Sequence, residues 1–297
     1  MSIKQSYSPN WVKIKSMQLN TALQTAAELL TESDSAALDV EVLLCLVLQK
    51  QRSYLRAWPE QDLPTDLALQ FWKLIEQRKL GTPIAYITGS REFWSRDFLV
   101  SPDVLIPRAD TEQLISLCLS LIPLDKPCKI IDLGTGSGII AITLAAERPL
   151  AELTGTDLSL AALDIAKLNA NKHRINNVQF YQSDWFASVP DDTYQIIVSN
   201  PPYISNDDEH LNLGDLRFEP RSALSAAESG LSDIRIIVNE AYTRLNSGGY
   251  LLIEHGYNQQ QPVQRIFNDC QYQQVQTVTD LAGLPRVTYG QRPTTPN

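Results

Sequence analysis

The stretch Lys129-Ile-Ile-Asp-Leu-Gly-Thr-Gly-Ser-Gly138 (KIIDLGTGSG) decides the fold class, because it predicts a strand, a tight turn and the start of a helix in direct succession. An apolar, isoleucine-rich run comes first, three glycines follow at alternate positions, and IIAITLAAE continues as a helix. Glycines allow a tight turn and a close approach of a ligand to the backbone. The helix N-terminus then offers free N–H groups to a carboxylate or phosphate.

Strands and helices alternate from this unit to the C-terminal region. Further strands are predicted in AELTGTD, VQFYQSD, YQIIVSN and GYLLIEHG, with helical segments between most of them. Two closely joined strands, in QQVQTVTD and RVTYGQR, predict an antiparallel hairpin at the edge of the sheet. The alternation predicts an α/β fold with a doubly wound, mostly parallel sheet.

The region before the glycine stretch has a different pattern. LNTALQTAAELL, SAALDVEVLLCLVLQ and TDLALQFWKLIEQRKL carry apolar stripes at helical spacing and predict a helical bundle without strands. REFWSRDFLVSP alternates aromatic and polar residues around a short polar centre, which predicts a β-hairpin. Asp110 is a candidate N-cap, with Gln113 three positions on, for the helix EQLISLCLSLI.

These patterns divide the chain into four parts. We expect an N-terminal extension at residues 1–16, a helical domain at 17–83, a β-hairpin linker at 84–109 and a nucleoside-binding α/β domain at 110–297.

Composition narrows the class of partner and the compartment. Twenty-five basic and thirty-four acidic residues give a net charge of −9, which disfavours binding to nucleic acid without excluding a local basic patch. The four cysteines form no Cys-x-x-Cys pair and the three histidines are scattered, so we expect reduced thiols and no metal site. With no signal peptide and no membrane-spanning run predicted, the expected location is the cytoplasm.

An acid downstream of the glycines defines the expected cofactor. Asp157 ends the next predicted strand, 23 residues after Gly134, where a carboxylate can accept both hydroxyl protons of a ribose cis-diol. The Gly-x-Gly-x-Gly spacing lacks the longer cradle that a pyrophosphate needs, and therefore favours S-adenosyl-L-methionine over NAD. Two interpretations stay open for Asp132, which could orient the loop or approach the methionine amine. Trp185, in SDWF, could stack on adenine or belong to the core.

The stretch Ser199-Asn-Pro-Pro-Tyr-Ile-Ser205 (SNPPYIS) predicts the acceptor site. It follows the strand YQIIV and would lie beside the glycine turn at the same edge of the sheet. Asn200 and the backbone carbonyl of Pro201 offer two fixed acceptors, and Tyr203 offers a ring to cover a planar group. Such a clamp suits an NH₂ group on a conjugated carbon: an adenine, a guanine or a glutamine amide.

The sequence resembles the class I S-adenosylmethionine-dependent methyltransferases that modify protein glutamine, in particular those of bacterial peptide chain release factors. The resemblance rests on GTPIAYITGSREFW, LVSPDVLIPRADTE, IIDLGTGSG, QSDWF, VSNPPYI and GDLRFEPRSAL, and runs from about Met17 to the C-terminus. It implies transfer of a methyl group to the glutamine of a Gly-Gly-Gln motif in class I release factors, with S-adenosyl-L-homocysteine as product. The helical domain would help to bind that partner, and no direct contact with nucleic acid or membrane is expected.

The resemblance also implies roles for individual residues. The methionine part of the cofactor would lie against Gly134, Thr135, Gly136, Ser137 and Gly138. Asp157 would bind ribose and Trp185 would lie against adenine. The target glutamine would be held by Asn200, Pro201, Pro202 and Tyr203, with Asn200 also next to the methyl donor.

One departure and three alternatives accompany this assignment. Relatives often have proline where this chain has Ala109 in IPRADTE, which removes one backbone constraint from that loop. The same clamp suits a methyltransferase of adenine or guanine in nucleic acid, and a sister enzyme acts on a ribosomal-protein glutamine. A regulator that binds the cofactor without catalysis is the third alternative, and an intact clamp argues against it.

Overall fold

A computed structural model describes residues 17–294, which divide between Thr88 and Gly89 into two units. The extension predicted at residues 1–16 lies outside the described residues. Between residues 17 and 294, no helix has the length and apolar content needed to span a bilayer.

The first unit is mainly helical, as its apolar stripes predict. In chain order it contains β1 Met17–Gln18, α1 Leu19–Leu29, α2 Ala36–Leu48, α3 Arg52–Ala57, β2 Asp62–Leu63, α4 Thr65–Lys79 and α5 Ile84–Thr88. The three predicted helices are confirmed as α1, α2 and α4. The expectation that no strand interrupts them is wrong, because β1 and β2 pair antiparallel. Two residues are too few to show the alternation by which strands are recognised.

The helices of the first unit each bury one apolar face. In α1, Leu19, Ala22 and Ala26 recur at intervals of three and four residues and are all buried. They pack with apolar residues of α2 and α4 in one core. Helical periodicity therefore predicts both the helices and the faces that they bury.

The second unit has the predicted alternation of strands and helices. Its elements are β3 Ser90–Phe93, β4 Arg96–Leu99, α6 Thr111–Leu121, β5 Cys128–Leu133, α7 Ile139–Glu147, β6 Ala151–Asp157, α8 Leu160–Lys172, β7 Val178–Gln182, β8 Tyr194–Ser199, β9 Ile204–Ser205, β10 Ser225–Ala226, α9 Ala227–Gly230, α10 Ser232–Arg244, β11 Leu245–Glu254, α11 Gln260–Asp269, β12 Gln273–Thr279 and β13 Pro285–Gln291. Three short 3₁₀ turns lie between residues 209 and 223.

Within residues 89–294, seven strands form one sheet in the order β12-β13-β11-β8-β5-β6-β7. β13 runs opposite to the other six strands of this sheet, so the doubly wound, mostly parallel sheet and its C-terminal hairpin are both confirmed. From β5 the chain proceeds outward to β6 and β7, and then returns to β8 on the other side of β5. The crevice between β5 and β8 is therefore the switch point at which such sheets bind ligands.

Helices cover both faces of this sheet. Neighbouring residues of one strand, such as Ile130 and Ile131 in β5 or Ile196 and Ile197 in β8, belong to different apolar clusters. Strands that are buried on both faces have nearly continuous apolar sequences, and KIIDL and YQIIV are of this kind.

The predicted hairpin is β3–β4, which spans Ser90–Leu99 with a turn at Trp94 and Ser95. Both turn residues have left-handed φ values, of 52° and 57°, as a two-residue hairpin turn of this hand requires. Phe93 and Phe98 are buried in a core cluster of the second unit. The predicted linker begins earlier, at residue 84, where the structure instead has helix α5.

The prediction that the Asp110 side chain caps α6 is wrong, although Asp110 does occupy the N-cap position. Asp110 stands at the N-cap position of α6, but its side chain makes no capping hydrogen bond. Its backbone is already helical, and the first N–H groups of α6 donate to the carbonyls of Arg108, Ala109 and Asp110. The carboxylate is therefore free to pair with Arg286, 3.2 Å away.

Candidate active site

The two predicted site segments leave the sheet side by side. Leu133, the last residue of β5, pairs with Ser199, the last residue of β8, and the Ser199 hydroxyl donates to the Leu133 carbonyl at 2.7 Å. The glycine loop begins at the next residue of one strand and Asn200 is the next residue of the other. Strand register therefore brings the cofactor and acceptor segments to one place.

The glycine loop needs glycine for two different reasons. Gly134, Gly136 and Gly138 have left-handed φ values of 71°, 56° and 84°. A Cβ on Gly138 would lie 2.7 Å from Ile142 and 3.2 Å from Ala166, so this glycine lets α7 pack closely on α8. A Cβ on Gly136 would meet no atom within 4 Å. Gly136 thus faces open space, whereas Gly138 is required by packing.

Asp132 orients the loop from inside the protein. Its Oδ2 accepts hydrogen bonds from the Thr135 hydroxyl at 2.6 Å and from the Ala141 N–H at 3.2 Å. The side chain is fully buried, and burial raises the pKa of Asp132 to about 7. Asp132 does not line the cavity described below, so of the two interpretations the structure favours orientation of the loop.

Asp157 links the end of β6 to the glycine loop. Its Oδ2 accepts from the Gly136 N–H and its Oδ1 from the Ser159 N–H, both at 2.9 Å. Burial raises the pKa of this half-buried carboxyl, while these backbone hydrogen bonds act in the opposite direction. A carboxylate has about four acceptor positions, so it can still accept a hydrogen bond from a ligand hydroxyl.

A cavity of about 570 Å³ lies where these segments meet. The predicted residues that line it are Gly134, Thr135, Gly136, Ser137, Asp157, Trp185, Asn200 and Pro202. Gly138, Pro201 and Tyr203 are not among its lining residues. None of the predicted residues lines a second depression of about 500 Å³ beside the β3–β4 hairpin.

This cavity fits a nucleoside-type ligand. Its volume lies within the range of about 300–1,000 Å³ typical of small-molecule sites. Gly136 borders it and presents no side chain to it. The Asp157 carboxylate, a suitable acceptor for ribose hydroxyls, lies on the same wall.

Trp185 combines the two interpretations that the sequence leaves open. It packs against the apolar cluster that contains Phe186 and Ile197, and it also lines the cavity. Its backbone has a left-handed φ of 46°, and a ring carbon would lie 3.4 Å from a Cβ on Gly134. The ring thus forms a wall of the cavity against the first glycine of the loop.

The Asn200 side chain is held through its nitrogen. Asn200 Nδ2 donates to the hydroxyl of Thr111, the first residue of α6, at 3.2 Å. This leaves the amide oxygen Oδ1 available to a ligand. Asn200 is half-buried and lines the cavity, whereas Pro201 is buried.

Tyr203 directs its hydroxyl away from solvent. The hydroxyl donates to Glu254 Oε1 at 3.4 Å, and burial raises the pKa of Tyr203 above its ordinary value. Glu254 is 1% exposed, and burial raises its pKa to about 7. The Asn-Pro-Pro-Tyr segment therefore rests on side chains from α6 and β11.

Sequence reasoning misses most of the supporting residues. Glu219, whose side chain is fully buried, pairs with Arg108 and accepts from the Ile106 N–H at 3.0 Å. Gln259 donates to the Tyr203 carbonyl at 2.8 Å. The sequence assigns no role to several further cavity-lining residues, although the first five lie in segments that carry the family resemblance: Pro102, Val104, Leu105, Asp184, Pro220, Leu158 and Asp233. No spacing signal in the sequence points to these contacts.

The fold of the second unit is that of a class I methyltransferase. Residues 113–220 match the family model described as methyltransferase small domain, and residues 21–89 match that of the PrmC N-terminal domain. A methyltransferase from Pyrococcus furiosus resembles the chain in fold, with a TM-score of 0.52 at 15% identity over 75% of this chain and 98% of that one.

Curated relatives narrow the class to one family. The release factor glutamine methyltransferase of Vibrio cholerae is 49% identical over 93% of this chain and 97% of its own length. Proteins of the same name from Coxiella burnetii and Escherichia coli are 44% and 43% identical over 89% and 92% of this chain, and 95% and 99% of their own lengths. The chain belongs to the release factor glutamine methyltransferase family.

Proposed function

We propose that this chain transfers a methyl group from S-adenosyl-L-methionine to the side-chain amide nitrogen of a glutamine in class I peptide chain release factors, namely the glutamine of their Gly-Gly-Gln motif. The names of the relatives support the substrate. The observation that carries the proposal is the pairing of Leu133 with Ser199, because it brings a nucleoside-type cavity and the Asn200 amide together. Because release factors act in translation, we expect the activity in the cytoplasm.

The cofactor side of the site consists of residues that line the cavity. Gly134, Thr135, Gly136 and Ser137 would hold the methionine part, and Asp157 the ribose. Trp185 would lie against the adenine, and Gly138 would contribute through the close packing of α7. When bound, S-adenosyl-L-methionine supplies an electrophilic methyl group on a sulfonium sulfur and leaves as S-adenosyl-L-homocysteine.

The acceptor side must orient a poor nucleophile. The lone pair of a carboxamide nitrogen is delocalised, and its two N–H groups need acceptors once water is excluded. Asn200 Oδ1 and the Pro201 carbonyl would accept these two protons, which aims the nitrogen and favours its pyramidalisation. Pro202 and Tyr203 would confine the planar group. After transfer the nitrogen loses a proton to water, so no general base is required.

Labelled S-adenosyl-L-methionine tests the substrate directly. We expect methyl label in release factor, and none in DNA, ribosomal RNA or ribosomal protein, when each is incubated with the purified full chain. A release factor whose target glutamine is replaced should remain unlabelled. Label found only in nucleic acid, which the same clamp could also bind, would overturn the proposal.

A glycine variant tests the cofactor side. We expect Gly136→Val to weaken binding of S-adenosyl-L-methionine at least tenfold, because the new side chain enters the cavity that Gly136 borders. Calorimetry measures the dissociation constant.

Gly283→Val is a matched control for this change. Gly283 also has a left-handed φ, of 81°, and open space around its Cβ position, but it does not line the cavity. Equal cofactor affinity in the two variants would show that the glycine loop does not hold the ligand.

A further inference from the structure

Glu254 is a buried acid that the proposed mechanism leaves without a role. It is the last residue of β11. Because Ile253 pairs with Ser199, Glu254 and Asn200 are each one residue beyond that pair and lie at the same level of the sheet. Its Oε2 makes no hydrogen bond of normal geometry within residues 17–294. An acid in such surroundings costs free energy whenever it is ionised, so its position calls for a functional explanation.

Thr111 stands between Glu254 and Asn200. Thr111 is buried, with 1% of its surface exposed. Its hydroxyl accepts a hydrogen bond from Asn200 Nδ2 at 3.2 Å. The single hydroxyl proton is then free for another acceptor. The Glu254 carboxylate is the nearby acceptor. Strand register puts it level with Asn200, its Oε2 has no other hydrogen-bond partner within residues 17–294, and burial raises its pKa while the Thr111 hydroxyl lowers it.

The ionisation state of Glu254 determines which group donates each hydrogen bond along the series Asn200, Thr111 and Glu254. An ionised carboxylate can only accept, so Thr111 must donate to it and can offer only lone pairs to Asn200. The amide of Asn200 must therefore direct its NH₂ group to Thr111 and its oxygen away. Without this constraint the two ends of an amide are nearly equal in shape, and either orientation fits.

We propose that Thr111 and Glu254 are positioning residues that fix which way round the Asn200 amide lies, so that Oδ1 faces the substrate nitrogen. The inference rests on the proposed function, in which Oδ1 is one of the two acceptors for the target amide. It adds two residues that do not line the cavity.

Protonation of Glu254 reverses the direction in which hydrogen bonds are donated between Glu254, Thr111 and Asn200. Asp110, Arg286 and Tyr203 also face Glu254; burial and Asp110 raise its pKa to about 7, while Arg286 and the Tyr203 hydroxyl lower it. Once protonated, the carboxyl can donate to Thr111, whose own proton then turns to Asn200 and favours the reversed amide. Methyl transfer should therefore fall as the pH decreases through about 7.

The stability of the fold should depend on pH in the opposite sense. The ordinary pKa of Glu254 is 4.5 and its folded-state pKa is higher, so the folded chain binds this proton more tightly than the unfolded chain. The stability from this group is complete below pH 4.5 and is lost as the pH rises to about 7.

A threonine series tests the positioning role. We expect Thr111→Val to lower kcat for release factor about tenfold or more, because the amide is free to reverse. The affinity for S-adenosyl-L-methionine by calorimetry should stay within twofold of wild type, and Thr111→Ser should restore most of kcat. The matched control is Thr143→Val, the same change at a buried threonine of α7 whose hydroxyl has no partner within residues 17–294.

Glu254→Gln provides the second test, because it removes the ionisation. The decrease of kcat below pH 7 should disappear, and the Tm difference between variant and wild type should shift in favour of the variant as pH rises from about 4.5 to 7. A Thr111→Val enzyme with wild-type kcat, or an unchanged acid limb in Glu254→Gln, would refute the inference. Absence of release-factor labelling by the wild type would instead refute the proposed function.

Discussion

Replacing Asn200 by alanine should abolish detectable methyl transfer to release factor while leaving the affinity for S-adenosyl-L-methionine close to that of the wild type. The side-chain oxygen is one of two proposed acceptors for the target amide, and its loss leaves a buried N–H group without a partner. Removal of one preorganised hydrogen-bonding group from a reaction centre typically costs about 10²–10³ in kcat. Single-turnover transfer from labelled cofactor measures the rate, and calorimetry the affinity.

A second asparagine serves as control for this variant. Asn268 is an exposed residue of α11 outside the cavity, so Asn268→Ala should leave both measurements unchanged. If Asn200→Ala transferred methyl groups at a rate within threefold of the wild type, the proposal of two acceptors for the target amide would be refuted. A large loss of cofactor affinity would instead show that Asn200 serves mainly the methyl donor.

The parts of the fold that the sequence predicts are those with a local pattern. Continuous apolar runs mark the central strands, and alternation with helices predicts the parallel sheet. The pairing of β1 with β2 escapes prediction, since each is two residues long. The Asp110 cap fails for a related reason: whether a carboxylate caps a helix or pairs with Arg286, 176 residues later in the chain, is settled by tertiary contact.

The same distinction between local pattern and tertiary contact applies to the candidate site. The glycine loop and the Asn-Pro-Pro-Tyr turn are contiguous segments, and their residue types alone indicate their chemistry. Thr111 reaches Asn200 across 89 positions of the sequence, and Tyr203 reaches Glu254 across 51. No spacing rule in the sequence connects such pairs, because they meet only through the tertiary fold. The side chains that orient the site therefore emerge only from the structure.

The alanine at position 109 illustrates how the structure compensates for a sequence departure. Arg108 on one side pairs with the buried Glu219, and Asp110 on the other pairs with Arg286. The backbone of residues 108–110 also accepts the first N–H groups of α6. With both neighbours anchored, the loop does not depend on a proline ring to limit its conformations.

The second large effect concerns Gly230, which lies against the Asn-Pro-Pro-Tyr turn. It ends the short segment α9, whose backbone is not right-handed: Glu228, Ser229 and Gly230 have left-handed φ values of 52°, 57° and 82°. A Cβ on Gly230 would lie 1.9 Å from the carbonyl oxygen of Tyr203, a distance that no contact can tolerate. Gln259 Nε2, which donates to this same carbonyl and to that of Ser229, would lie at 2.8 Å.

Gly230→Ala should therefore lower stability and methyl transfer together. The left-handed backbone costs an L-residue about 1–2 kcal/mol, and forced displacement of packed atoms adds about 1–3 kcal/mol. A total of about 2–5 kcal/mol corresponds to a decrease in Tm of roughly 4–20 °C for a unit of this size. At temperatures where the variant is still folded, transfer should be impaired, because the Tyr203 carbonyl must move and Asn200 lies three residues away.

Gly283→Ala separates the two contributions to this loss. Gly283 has a φ of 81°, nearly that of Gly230, but a Cβ there meets no atom within 4 Å. In this control, the Tm measured by calorimetry should decrease only by the amount that the left-handed backbone causes. The rate of methyl transfer should equal that of the wild type. If the two alanine variants melted at the same temperature, contact with Tyr203 would be energetically irrelevant. If Gly230→Ala melted lower but transferred methyl groups at the wild-type rate, the turn would tolerate displacement, and a rigid acceptor pair would not explain catalysis.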